Sequence, residues 1–339
     1  MLSRVFHQWE RRLAAATTDR VIRPFEWGAD WLHDGSSDGS EVDRLEHWAA
    51  AMLAESDRLY ALDPIDDYTL SGDRLTFPSA IRTPHPDNNV VRARFFPSQT
   101  PKGRTRAVVV LPQWNAGADG HVGLCQLLNR FGVSALRLTL PYHEERRPPE
   151  LHRADYIVSS NIGRTMQVCR QAVLDARRAI AWLAREGYES IGILGTSLGS
   201  CLSMLTAAHE PLVKAAALNH ISPYFADVVW HGLSTRHVRA GLNGHITLDQ
   251  LRQLWMPISP QFHLDRLTGR ELKTLLVYAR YDLTFPVDLS RHLVDAFRDK
   301  CVPFQLSVLP CGHYSTGSAP FKYLDGAVLT RFLYNSLQS

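Results

Sequence analysis

Five consecutive residues carry the clearest chemical potential in this sequence, Gly195-Thr196-Ser197-Leu198-Gly199. A serine hydroxyl is a poor nucleophile at neutral pH. It needs a base to take its proton, a group to orient that base, and N–H donors for the oxyanion that its attack creates. The pentapeptide follows the apolar run Ser190-Ile191-Gly192-Ile193-Leu194 directly and leads into a helical stretch from Leu198 to His209. A serine in that place occupies a strained turn, so the residues two before and two after it must be small. Gly195 and Gly199 meet the demand. The turn presents Ser197 at the carboxyl end of its strand, where open α/β sheets bind ligands. A GxSxG string by itself is common in long chains; its place between these two elements gives it weight.

Around that turn, short apolar runs alternate with helical stretches. Ala107–Leu111, Val133–Leu140, Ser190–Leu194, Val213–Leu218, Thr274–Tyr278 and Phe304–Leu309 read as strands. Val122–Phe131, Ile162–Glu186, Leu198–His209, Val287–Phe297 and Phe321–Leu337 read as helices. This alternation predicts an α/β fold, a mostly parallel central sheet with helices on both faces. Asp73–Phe77 and Val90–Phe96 read as antiparallel strands ahead of it. Residues 1–70 read as an N-terminal helical appendage without recognisable chemistry. There Val5, Phe6, Trp9 and Leu13, then Leu45, Trp48, Ala49, Met52 and Leu53, recur at three- and four-residue spacing on either side of a loop, Asp34–Ser40. Residues 71–339 form the main domain. One segment, about 222–270, is too long for a structureless connection and reads as a helical insertion capping the site, with Trp230 and Trp255 as determinants of specificity.

Composition narrows the class. The 339 residues are 45% hydrophobic and 21% charged, the mix of a folded globular chain. A formal net charge of +3, with basic residues scattered, gives no phosphate-tracking stripe and argues against nucleic acid. Five cysteines without a close pair argue against a disulfide framework and a zinc site, and suit free thiols in a reducing compartment. Charges interrupt the apolar residues of the first 20 positions, and no run approaches the roughly 20 apolar residues of a membrane span. A cytoplasmic location is the expectation.

From about Asp73 to the C-terminus the chain resembles the α/β-hydrolase superfamily. Leu140–Pro149 together with Trp182-Leu183-Ala184-Arg185-Glu186-Gly187 looks like a poorly characterised, serine esterase-like subgroup of it. The resemblance implies a triad in the order serine, acid, histidine. The acid position falls on Asp282, in the loop after Leu275–Ala279; its rival Asp288 reads as the first turn of the next helix. The base position falls on His313, one of 15 histidines, in Pro310-Cys311-Gly312-His313 after the last strand. Some relatives carry the acid where this chain has His220, and the lack of a carboxylate there favours Asp282. The oxyanion donors implied are the N–H of Leu198 and one from Leu111-Pro112-Gln113-Trp114-Asn115-Ala116-Gly117, a loop without the usual His-Gly start. Asn115 is preferred, with Trp114 as the alternative. Trp114, Tyr142 and Arg146 are the expected substrate contacts, although Arg146-Arg147 also reads as a solvated pair.

The expectation is therefore a serine hydrolase that cleaves a carboxylic ester or related acyl bond of a small-molecule acyl substrate. No metal or organic cofactor is implied. The same triad would also serve a peptidase, thioesterase or acyltransferase, and a catalytically inactive binding protein on the same fold is the rival from another class. Composition leaves the oligomeric state open.

Overall fold

The computed structural model describes residues 2–32, 39–100 and 105–338. Residues 34–38 of the expected loop Asp34–Ser40 lie outside them. Three helices come first: α1 (Leu2–Ala15), α2 (Glu41–Ala54) and α3 (Ser56–Leu59). A capping box starts α2, with Ser40 accepting from Asp43 N–H and the Asp43 carboxylate accepting from the Ser40 backbone. Nine strands then form one sheet: β1 (Thr69–Ser71), β2 (Arg74–Pro78), β3 (Val90–Phe96), β4 (Arg106–Leu111), β5 (Ser134–Leu138), β6 (Ser190–Thr196), β7 (Val213–Asn219), β8 (Lys273–Ala279) and β9 (Gln305–Leu309). Their spatial order is β1-β2-β3-β5-β4-β6-β7-β8-β9. From β5 to β9 the six strands run parallel, while β1, β2 and β3 join antiparallel at one edge.

Side chains in a strand alternate between faces, and both faces here are covered, so the parallel strands are apolar throughout. Ala107, Val109, Leu111, Ile191, Ile193, Ala216, Leu218 and Leu276 belong to one core. Val108, Val110, Leu194, Ala215, Ala217, Leu275 and Val277 belong to the other. Two helices that follow strands supply the second core: α4 (Val122–Arg130), through Cys125 and Leu128, and a C-terminal helix, Phe321–Ser336, through Leu329, Phe332 and Leu333. The first core is closed by α5 (Ile162–Arg185) and α6 (Leu198–His209).

Between β7 and β8 lie α7 (Phe225–His231), α8 (Arg236–Leu242) and α9 (Leu248–Leu254), then two 3-10 turns, Met256–Ile258 and Pro260–Leu267. They pack chiefly on α2, α5 and α6. After β8 comes α10 (Val287–Asp299), on the first core, and the C-terminal helix is α11 (Phe321–Ser336). Among the described residues no helix is long and apolar enough to cross a membrane.

The strand order positions the site. β4 feeds through α4 to β5 on one side, whereas β6 feeds through α6 to β7 on the other. The chain thus reverses direction between β4 and β6, and a crevice opens at their carboxyl ends. Register places Leu111 beside Gly195, so the loop after β4 lies against the turn after β6.

Candidate active site

Ser197 sits in that crevice with φ 57° and ψ −119°, left-handed backbone that costs a non-glycine residue about 1–3 kcal/mol. Its surroundings hold it there. Ser197 N–H donates to Asn219 O at 2.8 Å, and the Ser200 hydroxyl donates to Ser197 O at 2.6 Å. A Cβ on Gly195 would collide with Gly199 O, and one on Gly199 with Leu111 O. The two glycines therefore serve close backbone approach.

The structure brings Asp282 and His313 to this serine. His313 Nε2 lies 3.1 Å from Ser197 Oγ, and His313 Nδ1 lies 2.9 Å from Asp282 Oδ2. A carboxylate only accepts, so Nδ1 carries the hydrogen and Nε2 presents its lone pair to the serine hydroxyl. The Phe285 ring stacks on His313 at 5.3 Å and 3°. Asp282 Oδ1 accepts from Thr284 N–H and Phe285 N–H, both at 2.7 Å. Burial would push this carboxyl up; the charges and hydrogen bonds of His313 and His220 overcome it and hold the group well below the usual carboxylate range. The rival Asp288 stands exposed in the first turn of α10, paired with Arg291.

The oxyanion expectation needs correction. Asn115 N–H donates to His143 Nε2 at 2.9 Å, and the Asn115 side-chain oxygen accepts from Ala154 N–H at 2.7 Å. An N–H committed to an imidazole is not free for a developing oxyanion. His143 is fixed in this role because its Nδ1–H donates to Pro141 O at 2.9 Å, and burial pushes its pKa down to about 4. That leaves Trp114, on the cavity wall; its backbone N–H has no protein acceptor among the described residues. Leu198 opens α6, so its N–H has no partner a turn back. Arg137 of β5 braces the same loop by donating to Gly117 O at 2.8 Å and to Glu144 Oε1 at 2.6 Å.

Two expected substrate contacts are not at the cavity. Tyr142 is fully buried, its hydroxyl 3.0 Å from His85 Nδ1. Arg146 is equally buried, bound to Asp175 Oδ2 at 2.8 Å and to the carbonyls of Asn88 and Thr139. The 3-10 turn Glu144–Arg146 tucks this guanidinium inward against α5, so it is neither a solvated cation nor a substrate clamp. Trp255 is also core, with Nε1–H directed at Ile162 O, and Trp230 packs away from the cavity beneath Arg239. The third contact, Trp114, does line the cavity, with its ring stacked on His237 of α8 at 5.6 Å.

The cavity over Ser197 holds about 920 Å³. The insertion lends it little, Ser234 being its one residue on the wall; the N-terminal segment lends Ala16, Thr17, Thr18, Asp19 and Arg20. Asp19 binds Arg153 at 2.7 Å, and Arg20 donates to the Tyr314 hydroxyl at 2.8 Å. Deeper in α1, Glu10 is fully buried and accepts from Tyr314 N–H and Ser315 N–H, both at 2.8 Å, directly after His313. Gly312 makes the approach possible, since a Cβ there would strike the Glu10 side chain. Sequence reasoning missed Glu10, His143 and the role of His220. Glu10 did leave a signal: it stands four residues after Phe6 and three before Leu13, a carboxylate on an apolar helix face. His220, Asp282 and His313 are the one group of three metal-ligating side chains within mutual reach among the described residues. Both oxygens of Asp282 are taken by N–H donors, and His313 Nε2 is engaged by the serine, which suits a hydrogen-bond network better than a metal cage.

Residues 122–241 match the family model "Alpha/beta hydrolase domain containing 18", about a third of the chain. No curated protein matches the sequence. The acylaminoacyl peptidase of Pyrococcus horikoshii superposes with a TM-score of 0.61 at 14% identity, over 81% of this chain and 43% of that one. A puromycin-hydrolysing peptidase of Mycobacterium tuberculosis gives 0.57 at 17%, over 77% and 40%. The chain thus spans less than half the length of these peptidases. Acetyl xylan esterase 1 of a Thermoanaerobacterium species gives 0.60 at 15%, over 97% and 98%. The mostly parallel sheet, the turn after β6 and these likenesses agree on an α/β-hydrolase fold, and residues 122–241 match a family of that fold.

Proposed function

We propose that the chain is a serine hydrolase that cleaves a carboxylic ester or related acyl bond of a small molecule through an acyl-enzyme on Ser197. The observation that carries this reading is the continuous hydrogen-bonded line from Ser197 Oγ through His313 to Asp282. His313 takes the hydroxyl proton through Nε2 as Oγ attacks the acyl carbon. Asp282 holds the imidazole in the required tautomer and stabilises the imidazolium that forms. The N–H groups of Leu198 and Trp114 receive the oxyanion. His313 then returns the proton to the leaving group, and a water repeats the sequence to release the acid. The esterase and peptidases of similar fold lend support to acyl chemistry of this kind.

A fluorophosphonate probe tests the reading. It should label the folded protein once, at Ser197, and fail to label Ser197→Ala. A folded wild-type chain that does not react overturns the proposal. Matched esters, thioesters and anilides of graded acyl length then identify the bond cleaved.

A further inference from the structure

β7 ends at Asn219, beside the turn that carries Ser197, and His220 follows it directly. Asn219 O takes the Ser197 N–H, and His220 O lies 3.0 Å from the Ser200 hydroxyl. His220 has φ +55° and is 2% exposed. Its Nδ1 lies 3.1 Å from Asp282 Oδ2, the same oxygen that binds His313. The two rings meet edge to face with centroids 4.7 Å apart. Asp282 therefore receives four N–H donors, two from backbone and two from imidazoles. Among the described residues, His220 Nε2 is buried without a hydrogen-bond partner.

The titratable groups that face His220 come from four elements. They are Asp282 after β8, His313 after β9, Asp325 of α11 and Glu10 of α1: three carboxyl groups and one imidazole. Burial disfavours a charge on His220. The hydrogen bond and charge of Asp282, with the charges of Asp325 and Glu10, outweigh burial and raise its pKa above the ordinary value.

We propose that His220 is a positioning residue of the triad: a cationic second imidazole that shares Asp282 with His313 and sets the pH at which the base becomes available. The inference rests on the serine-hydrolase reading above. Its sign follows from charge. A cation on Asp282 offsets part of the negative charge that would otherwise hold a proton on His313, so the neutral, active base is reached at a lower pH. Catalysis places a second positive charge on His313, and His220 also keeps Asp282 ionised while that happens.

Two measurements test this. The acid limb of the kcat/KM profile should move up by about one pH unit in His220→Asn and His220→Gln, the scale expected of directly coupled groups. A limb that stays in place in a folded variant overturns the proposal. Imidazole ¹⁵N resonances of wild-type protein at pH 7, assigned against His220→Asn, should show both His220 nitrogens protonated. A neutral His220 tautomer there overturns it whatever the variants do. The spectra do not depend on turnover, so an unreactive Ser197 would sink the hydrolase reading while leaving the protonation state of His220 measurable.

Discussion

Asn115 adopts φ +59° and gives its N–H to His143 Nε2, a bond that exists only while the imidazole is neutral. The loop after β4 is therefore shaped by a residue 28 positions away, and among the described residues it leaves the Trp114 N–H without a protein acceptor. His143→Phe keeps a flat ring but removes the acceptor. It should lower kcat/KM on an ester about 10- to 100-fold, mostly in kcat, since a displaced oxyanion donor costs transition-state stabilisation rather than binding. Unchanged steady-state kinetics would mean that the loop holds its shape without the imidazole. Single residues also show where the sequence was legible. Ser197, Asp282 and His313 follow strand ends that local apolar runs disclose. The choice between Asn115 and Trp114 depends on a tertiary hydrogen bond that no local pattern encodes. Arg146 misled for a similar reason, because its partner Asp175 lies a turn and a helix away and is itself fully buried.

Among the elements, α1 departs furthest from its sequence reading. Its apolar positions predict a helix that packs on the core, and Phe6 does stack on Tyr281 at 4.5 Å. Yet the helix also delivers Glu10 to the loop that carries His313, with partners 304 and 305 residues distant. Spacing within α1 cannot disclose such a bond. Glu10→Ala removes the acceptors of the half-buried Tyr314 N–H and the buried Ser315 N–H, which costs up to about 1–3 kcal/mol for each group left unsatisfied. We expect the variant to fold with a lower Tm and to react with a fluorophosphonate at least tenfold more slowly than wild type. Equal labelling rates at a temperature where both are folded would reduce α1 to a packing element. The short strand β1, three exposed residues at the sheet edge, was also invisible in the sequence because it buries no side chain and so leaves no apolar alternation. The central strands and long helices were legible because they are buried on a regular period.

At the scale of the whole molecule, two apolar cores cover both sheet faces, and the polar groups enclosed between them carry a pH signature. His121, His143 and His263 have pKa values pushed down to about 4, and His209 to about 3, chiefly by burial. Each is neutral in the folded chain and structurally engaged. His121 Nε2 lies 2.9 Å from Thr196 Oγ1 beside the nucleophile, and His209 lies 3.1 Å from His263 between α6 and the second 3-10 turn of the insertion. The unfolded chain binds protons at these residues below about pH 6.5, whereas the folded chain refuses them until near pH 4. Stability from these histidines is complete above pH 6.5 and is lost as pH falls toward 4. By pH 5 each would cost up to about 2 kcal/mol, a sum comparable with the net stability of a typical domain. Asp282 does not contribute in this window, because its depressed pKa delays its loss to lower pH. His220 acts in the opposite sense, its raised pKa adding stability as pH falls, but it is one group against these four and His237, which burial also pushes down to about 4. Calorimetric Tm at fixed ionic strength should hold from pH 8 to 7 and fall steeply between pH 6.5 and 5, with uptake of more than one proton on unfolding. A Tm that stays level down to pH 5 would mean that these imidazoles are hydrated or already charged in the fold. The cavity wall at His121 and the loop held by His143 would then lack the neutral imidazoles on which their geometry depends.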